Sequence, residues 1–277
     1  SNPPTAATSE EAGRLEIGGT ADKMSALQRH GHASPPLAAD ATTATLDSPF
    51  FKATIDTNRF VLRSLIDKRS GRELVDNSGP HGFGQCLYER FDSNNVAEFV
   101  RAYVKINADW ATNELGKPNL PPAEEVPNQA SSPANFRVSF DQDADRVLAS
   151  AESDPFLGNS HLRMVFALSA TQPYLDLTLT FDKRPDPWPE AGWICLPFKV
   201  DSPQFRLGRQ ASIVDPAKDI VGGANRHLFG LNTGLAIIDP QGRGVGLCAL
   251  DNPLVSLDTP GCWKYSMDFV PQKPVVY

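Results

Sequence analysis

Hydrophobic and polar residues alternate along most of the chain after residue 50. The clearest run is 174–182, in which every second side chain is apolar: Leu175, Leu177, Leu179 and Phe181. A similar run, 162–168, precedes it, and residues 169–172 are a suitable length for a tight connection. Because a period of two places the apolar side chains on one face of an extended chain, this pattern predicts an antiparallel hairpin.

Other short alternating runs predict further strands. Phe51, Ala53 and Ile55 alternate with polar residues, and residues 67–71 form a turn sequence that follows a second apolar run. We predict the remaining strands at 97–106, 135–141, 145–152, 192–200, 227–239, 244–250 and 262–268. Short strands joined by turns are typical of an antiparallel meander.

Only one segment after residue 50, 107–115, carries the signals of a helix. Asn107 can cap its start, Asp109 lies in the first turn, and Gly116 is placed to end it. Trp110 lies on this predicted helix, and we interpret it as an anchor in the core.

Proline is abundant, at 24 of 277 residues, and it is poorly tolerated inside helices. Together with the strand pattern, this predicts an all-β fold: a large antiparallel β-sandwich of two broad sheets with one short helix. We assign 1–47, which shows no sustained period, to a partly disordered linker or appendage, and 48–277 to the sandwich domain. Since the chain stops in an apolar run, 274–277, we expect this domain to be truncated at its C-terminus.

Composition and charge narrow the classes of function. The net charge is −7 and there is no basic run, so a nucleic-acid partner is not expected. No stretch approaches the ~18 apolar residues of a membrane span, and residues 1–11 lack a signal-peptide pattern. We therefore expect a soluble chain of unspecified compartment. None of the four cysteines has C-x-x-C spacing, which predicts buried reduced thiols and no metal site.

No strong catalytic motif occurs, so the candidate residues are isolated ones. His30 and His32 lie two residues apart, but no third metal ligand lies nearby in the sequence. His161, His227 and His81 fall at strand edges or in loops. There an imidazole can serve as an acid or base near neutral pH, or fill a half-buried structural position.

Acidic residues cluster in two turns. Asp182, Asp186 and Glu190 surround Trp188 in a loop stiffened by three prolines, and Asp251 and Asp258 flank the segment that begins Asn252-Pro-Leu-Val. Carboxylates beside an aromatic ring are typical of sugar recognition, although solvated turn acids are the common alternative. Trp188 has two interpretations: its indole is held outward for stacking, or it folds back over a sheet edge. The candidate carbohydrate-binding residues are Trp188, Asp186, Glu190, Asp251, Asn252 and His161.

Three segments together resemble one family. The sequence Asp67-Lys-Arg-Ser-Gly-Arg-Glu-Leu74 resembles the first hairpin turn in the C-terminal β region of glycoside hydrolase family 38, the α-mannosidases and their relatives. Glu190-Ala-Gly-Trp-Ile-Cys-Leu-Pro-Phe198 is similar to that family's E-A-x-x-x-x-x-P-F strand. Asp251-Asn-Pro-Leu-Val255 is similar to its D-x-P-L-V turn. The segments follow the family's order, and the similarity covers roughly residues 48–277.

The resemblance implies a galactose-mutarotase-like supersandwich that carries no catalytic residues of its own. In that family a zinc ion and an aspartate nucleophile belong to a barrel N-terminal to this region, and no residue here matches them. We therefore expect a non-catalytic portion of an α-mannosidase-like hydrolase, without a cofactor in this chain and with zinc only in a missing catalytic barrel. Its expected partners are that barrel and a mannoside-like carbohydrate.

Two other functions remain open. The first is a free-standing carbohydrate-binding module that uses Trp188 and the nearby acids. The second is an aldose epimerase, which a mutarotase-like fold allows by analogy. That chemistry needs a histidine acid and a carboxylate base on a concave sheet, for which His161 is the candidate.

Overall fold

The computed structural model describes residues 42–106, 108, 110–157 and 159–277. Within them, eighteen strands and two helices form the regular structure. His30 and His32 lie outside the described residues, as do Asn107 and Asp109 of the predicted helix. No helix in the described ranges is long and apolar enough to cross a membrane.

The strands begin at residue 43. In chain order they are β1 (Thr43–Asp47), β2 (Phe51–Asp56), β3 (Val61–Asp67), β4 (Arg72–Glu73), β5 (Gln85–Arg90), β6 (Gln129–Ser131), β7 (Arg137–Gln142), β8 (Arg146–Phe156), β9 (Asn159–Ser169), β10 (Leu175–Thr180), β11 (Glu190–Pro197), β12 (Gln204–Arg209), β13 (Ser212–Val214), β14 (Phe229–Gly230), β15 (Gly234–Ile238), β16 (Gly244–Leu247), β17 (Leu254–Val255) and β18 (Val275–Val276). The helices are α1 (Ser93–Tyr103) and α2 (Ala111–Leu115).

The described strands form several small antiparallel sheets. Four sheets have four strands each, in the orders β1-β2-β3-β4, β10-β9-β8-β7, β18-β11-β5-β6 and β13-β12-β15-β16, and β14 pairs with β17. The prediction of a mostly antiparallel β fold is therefore confirmed. In place of two broad sheets, the described residues show smaller ones, because turns and loops interrupt the strands after a few residues.

The predicted hairpin of 162–168 and 174–182 is confirmed as β9 and β10. Leu175 pairs with Leu168 and Thr180 with Arg163. Leu179 is fully buried, whereas Leu177 is only half-buried and packs at the margin of the core. The apolar face was thus predicted correctly, but its burial is uneven along the strand.

The pairing of β8 with β9 contains a β-bulge. The register shifts between Glu152 and Pro155, so that Pro155 faces His161. A proline has no N–H to donate, and an irregularity in the ladder is where a strand tolerates one.

One main hydrophobic core draws on all four of the four-stranded sheets. Its largest fully buried side chains include Phe60, Phe166 and Phe229, and the rings of Phe60 and Phe166 lie 5.3 Å apart between centroids. A second, small cluster of Leu87, Trp193 and Cys195 covers the opposite face of β5 and β11.

The four cysteines are unpaired and differ in exposure. Cys86 and Cys195 are buried, as predicted, and burial raises the pKa of the Cys86 thiol to about 12. Cys262 is half-buried. The prediction of a buried thiol is wrong for Cys248, which is exposed just after β16.

Two predicted strands are absent from the described structure. Residues 97–106 were expected to be a strand, but most of them belong to α1. Asp92 and Asn95 cap the N-terminus of this helix with a reciprocal capping box. Val96, Phe99 and Tyr103 have the three- and four-residue spacing of a helical face. Residues 262–268 contain turns instead of a strand. The rings of Trp263 and Tyr265 in this segment pack against α1.

The predicted helix at 107–115 is shorter than expected. It is confirmed as α2, which covers Ala111–Leu115. Trp110 precedes α2 and its side chain is 54% exposed, so its interpretation as a core anchor is wrong. The neighbouring Ala111 is the buried residue of this turn.

Candidate functional site

Three of the predicted site residues come together where β11 begins. Asp186 and Glu190 meet side chains from β5 and from the loop before β11, and Trp188 bonds to the backbone of Phe91, just after β5. We call this group the Glu190 cluster. It consists of Tyr88, Arg90, Asn159, Lys183, Asp186, Trp188 and Glu190.

The carboxylate of Glu190 is the centre of the cluster. The Tyr88 hydroxyl donates to its Oε2 at 2.8 Å, and the Lys183 ammonium donates to the same oxygen at 2.6 Å. Arg90 Nε lies 3.2 Å from Oε1. The Glu190 side chain is only 9% exposed, so these partners replace most of the water that its charge would otherwise bind.

Strand pairing explains why these residues meet. Glu190 lies opposite Arg90 in the β5–β11 ladder, and Gly192 lies opposite Tyr88. Tyr88, Arg90 and Glu190 therefore share one face of the sheet, as direct or diagonal neighbours.

Trp188 is held in a fixed position beside this carboxylate. Its indole Nε1 donates to the Phe91 carbonyl at 2.7 Å, and its backbone N–H donates to Asp186 Oδ1 at 2.9 Å. The Arg90 guanidinium lies 5.1 Å from the ring centroid, in a cation–π contact. The indole thus folds back over the sheet edge, while part of its ring remains exposed.

The cluster is suited to donating hydrogen bonds. Burial raises the pKa of the Tyr88 hydroxyl. Burial acts to lower the pKa of Lys183, but its bonds to Glu190 and Tyr88 outweigh burial and hold that pKa above its usual value. Both groups therefore keep their protons at neutral pH, and neither is poised as a general base.

Asn159 brings an unsatisfied donor into the cluster. Its side chain is 5% exposed, and its Oδ1 accepts a hydrogen bond from Arg184 N at 3.0 Å. The amide lies close enough to Tyr88 to lower that group's pKa, yet Nδ2 makes no well-formed hydrogen bond with any described residue. Nδ2 is enclosed by protein atoms and lies near the Tyr88 hydroxyl, so Asn159 supports that hydroxyl and is not itself open to a ligand.

The second predicted turn belongs to a different part of the fold. Asn252 Oδ1 accepts from Leu254 N at 3.1 Å, and the Pro253 carbonyl accepts from Leu231 N at 2.6 Å. Asp251 and Asn252 thus lie just before β17, which pairs with β14, whereas the Glu190 cluster is built on β5 and β11.

His161 lies on the outer face of the β7–β10 sheet. Its ring Nδ1 is 2.6 Å from the Ser153 carbonyl oxygen, and the side chain is exposed. Asp154 is near enough for His161 to contribute to lowering its pKa, after the larger effects of Asn135 and Arg137. His161 therefore has a carboxylate neighbour, but that neighbour is already engaged by two other side chains.

Sequence reasoning missed four members of the cluster: Tyr88, Arg90, Asn159 and Lys183. Strand β5 was not predicted, because Cys86, Leu87 and Tyr88 are buried on both faces of their sheet and show no alternation. The contribution of Asn159 depends on the β9–β10 hairpin meeting the loop before β11, which no short motif indicates.

A separate group of aromatic side chains lies between α1 and the turns at 262–268. Phe99 and Tyr103 stack with 5.6 Å between centroids, and Trp263 and Tyr265 meet them edge-on. Tyr103 is 45% exposed. This aromatic surface, together with exposed Trp110 nearby in sequence, is a second place where rings face solvent.

Among the described residues, no three His, Cys, Asp or Glu side chains are arranged to hold a metal ion. Comparison with known proteins adds no family assignment: no protein-family model matches the sequence, and no curated protein matches it.

Proposed function

We propose that this chain is the non-catalytic β-sandwich portion of an α-mannosidase-like glycoside hydrolase, and that it helps to form a carbohydrate site at the Glu190 cluster. The observation that carries the proposal is the partly exposed ring of Trp188, which lies under the Arg90 guanidinium next to the Glu190 carboxylate and its Tyr88 and Lys183 donors. A sugar presents hydroxyls that pair with such donors and carboxylates, and an apolar C–H face that covers an aromatic ring.

Two further features support this proposal. Glu190, the centre of the cluster, begins the segment that resembles the family's E-A-x-x-x-x-x-P-F strand. The raised pKa values of Tyr88 and Lys183 favour ligand binding over proton abstraction. In this proposal the reaction itself belongs to a partner catalytic barrel, which supplies the zinc.

A titration tests carbohydrate binding. Methyl α-mannoside and a short α-mannoside are added to the chain while amide NMR shifts are followed. We expect saturable shifts at Tyr88 and Glu190, and a loss of affinity of about five- to tenfold in Trp188→Ala, because a ring contact contributes about 1 kcal/mol.

Trp110→Ala is the matched control, since it removes an exposed tryptophan outside the cluster. Thermal unfolding of both variants shows whether the fold is kept. If Trp110→Ala lost the affinity and Trp188→Ala kept it, the sugar site would lie elsewhere and the assignment to the Glu190 cluster would be wrong.

A second experiment tests the absence of catalysis. The purified chain is incubated with an aryl α-mannoside, with and without added zinc, and release of the aryl group is measured. We expect no turnover, since Tyr88 and Lys183 keep their protons and the Glu190 carboxylate is already engaged by Tyr88, Lys183 and Arg90. Turnover that one substitution in this chain abolishes, such as Glu190→Gln or His161→Gln, would contradict the non-catalytic role.

A further inference from the structure

A polar groove of about 390 Å³ lies on the outer face of β7, β8 and β9. Its polar lining is Arg137, Ser139, Ser150, Glu152 and Arg163. The volume falls within the range of small-ligand sites. None of these residues belongs to the Glu190 cluster, so the groove is a separate feature.

On one side of the groove the charge of Arg137 is neutralised by neighbouring carboxylates. Arg137 Nη2 donates to Glu152 Oε1 at 2.9 Å, and Arg137 Nη1 lies 3.3 Å from Asp154 Oδ1. Asn135 Nδ2 also donates to Asp154 at 2.8 Å. The Arg137 guanidinium therefore has two carboxylate partners and is held across the end of the groove.

The other side presents an unpaired donor. Arg163 lies directly opposite Glu152 in the β8–β9 register, and its side chain is exposed. Within the part of the chain that the structure describes, its guanidinium makes no hydrogen bond or ion pair. Directly opposed side chains in an antiparallel ladder are about 5 Å apart at Cβ. The Arg163 guanidinium is thus free to bind a ligand, and its strand position is directly across from Glu152.

A pair of hydroxyls completes the lining. Ser139 Oγ and Ser150 Oγ are 2.7 Å apart, one donating to the other. Only one of the two hydroxyl hydrogens is used in this bond, so the other can donate to a ligand. The groove consequently alternates donors and acceptors over a short distance.

We propose that this groove is a second carbohydrate site, which binds a neutral saccharide through adjacent hydroxyls. One hydroxyl donates to Glu152 and accepts from Arg163, and its neighbour bonds to the Ser139–Ser150 pair. Two guanidinium groups and two carboxylates cancel in formal charge here, so the groove attracts no net anion. The ligand class is shared with the function proposed above, but the residues are different and the two sites are tested separately.

The experiment uses the full chain, isotope-labelled for amide NMR, with three probes: methyl α-mannoside, glucuronate and inorganic sulfate. We expect the mannoside to shift the amides of Ser150, Glu152 and Arg163 in a saturable way. Arg163→Ala should weaken this binding at least about tenfold, because a charged hydrogen-bond donor is lost. Arg163→Lys should weaken it as well, since an ammonium lacks the planar pair of donors.

Controls separate the groove from the Glu190 cluster. Arg101→Ala removes an exposed guanidinium on α1 and should leave the groove shifts unchanged, and so should Trp188→Ala. Shifts confined to Tyr88 and Glu190 would overturn the groove site and leave the Glu190 cluster. Shifts confined to the groove would support the groove site and overturn the carbohydrate site at the Glu190 cluster. A response to glucuronate and sulfate without the mannoside would make the groove an oxyanion site and overturn the proposal, as would no response to any probe.

Discussion

His227 shows how one buried side chain makes the stability of this fold depend on pH. It is 7% exposed, its ring stacks on Phe269 with 4.1 Å between centroids, and its Nδ1 has no partner among the described residues. Burial lowers the pKa of His227, and the nearby charge of Lys264 lowers it further. The folded state therefore resists protonation of this ring.

The sign of the effect follows from linkage. In the unfolded chain a histidine titrates near pH 6.5, and in the folded chain His227 titrates lower. Its contribution to stability is complete above about pH 6.5 and is lost as the pH falls toward the folded pKa. We expect the free energy of unfolding in urea to decrease between about pH 7.5 and about pH 5.5.

His227→Phe keeps an aromatic ring on Phe269 and removes the titration. The decrease in stability with falling pH should be smaller in this variant. His81→Phe should act in the same direction, since burial lowers the pKa of His81 too, with a further contribution from Arg59. Equal pH slopes for wild type and His227→Phe would contradict this account.

At the scale of single elements, β10 shows what an alternating pattern predicts and what it omits. The pattern correctly places Leu177 and Leu179 on the same face. It cannot distinguish them, because burial depends on what covers each position: Leu179 is fully buried and Leu177 lies at the margin of the core. The difference is a tertiary property, set by residues distant in sequence.

Leu179→Ala should lower the free energy of unfolding by about 2–5 kcal/mol, through lost burial and a residual cavity. Leu177→Ala, its matched control, should cost less than half as much, because its site is already partly hydrated. Urea unfolding of the two variants measures the difference. Equal losses would mean that the core closes over both positions.

Helix α1 is the element that sequence reasoning placed in the wrong class. The residues 97–106 contain several β-branched and aromatic side chains, which favoured a strand. The deciding signals were the capping box of Asp92 and Asn95 and the helical spacing of Val96 and Phe99. Asp92, Asn95 and Val96 all precede residue 97, so both signals begin before the predicted strand.

At the scale of the whole molecule, Gly84 lies where the sheet that contains β11 packs against the sheet that contains β9. Its N–H donates to the Cys195 carbonyl of β11 at 2.7 Å, and its φ is +86°. A Cβ at this position would overlap the ring of Phe166 on β9. The backbone therefore passes directly against the centre of the core, which only glycine permits.

Gly84→Ala should destabilise the protein by about 2 kcal/mol or more, because it adds overpacking to an unfavourable backbone conformation. Gly71→Ala separates the two effects. Gly71 also has a positive φ, +69°, but no atom lies within 4 Å of its added Cβ. Gly71→Ala should therefore lower the free energy of unfolding by only about 1 kcal/mol. If thermal unfolding showed the same loss for both, the contact with Phe166 would have no energetic weight.

The separation of residues along the chain determined how much of the candidate site could be predicted from the sequence. Asp186, Trp188 and Glu190 lie two residues apart along the chain, at the end of a loop and the start of β11, so their proximity follows from sequence spacing. Tyr88 and Glu190, in contrast, are 102 residues apart and meet only through the pairing of β5 with β11. The antiparallel character of the fold was predictable from alternation, but the order of strands in each sheet was not.

The bulge at Pro155 has a consequence for how the β8–β9 hairpin forms. A hairpin closed two residues out of register would keep its apolar side chains on the inner face, so hydrophobic burial alone distinguishes the two closures poorly. In that misaligned hairpin Pro155 would lie in a regular stretch of strand pairing. Because proline has no N–H, a carbonyl on the partner strand would then lack a donor. We therefore expect Pro155 to favour the observed alignment of β8 and β9 over alignments shifted by two residues.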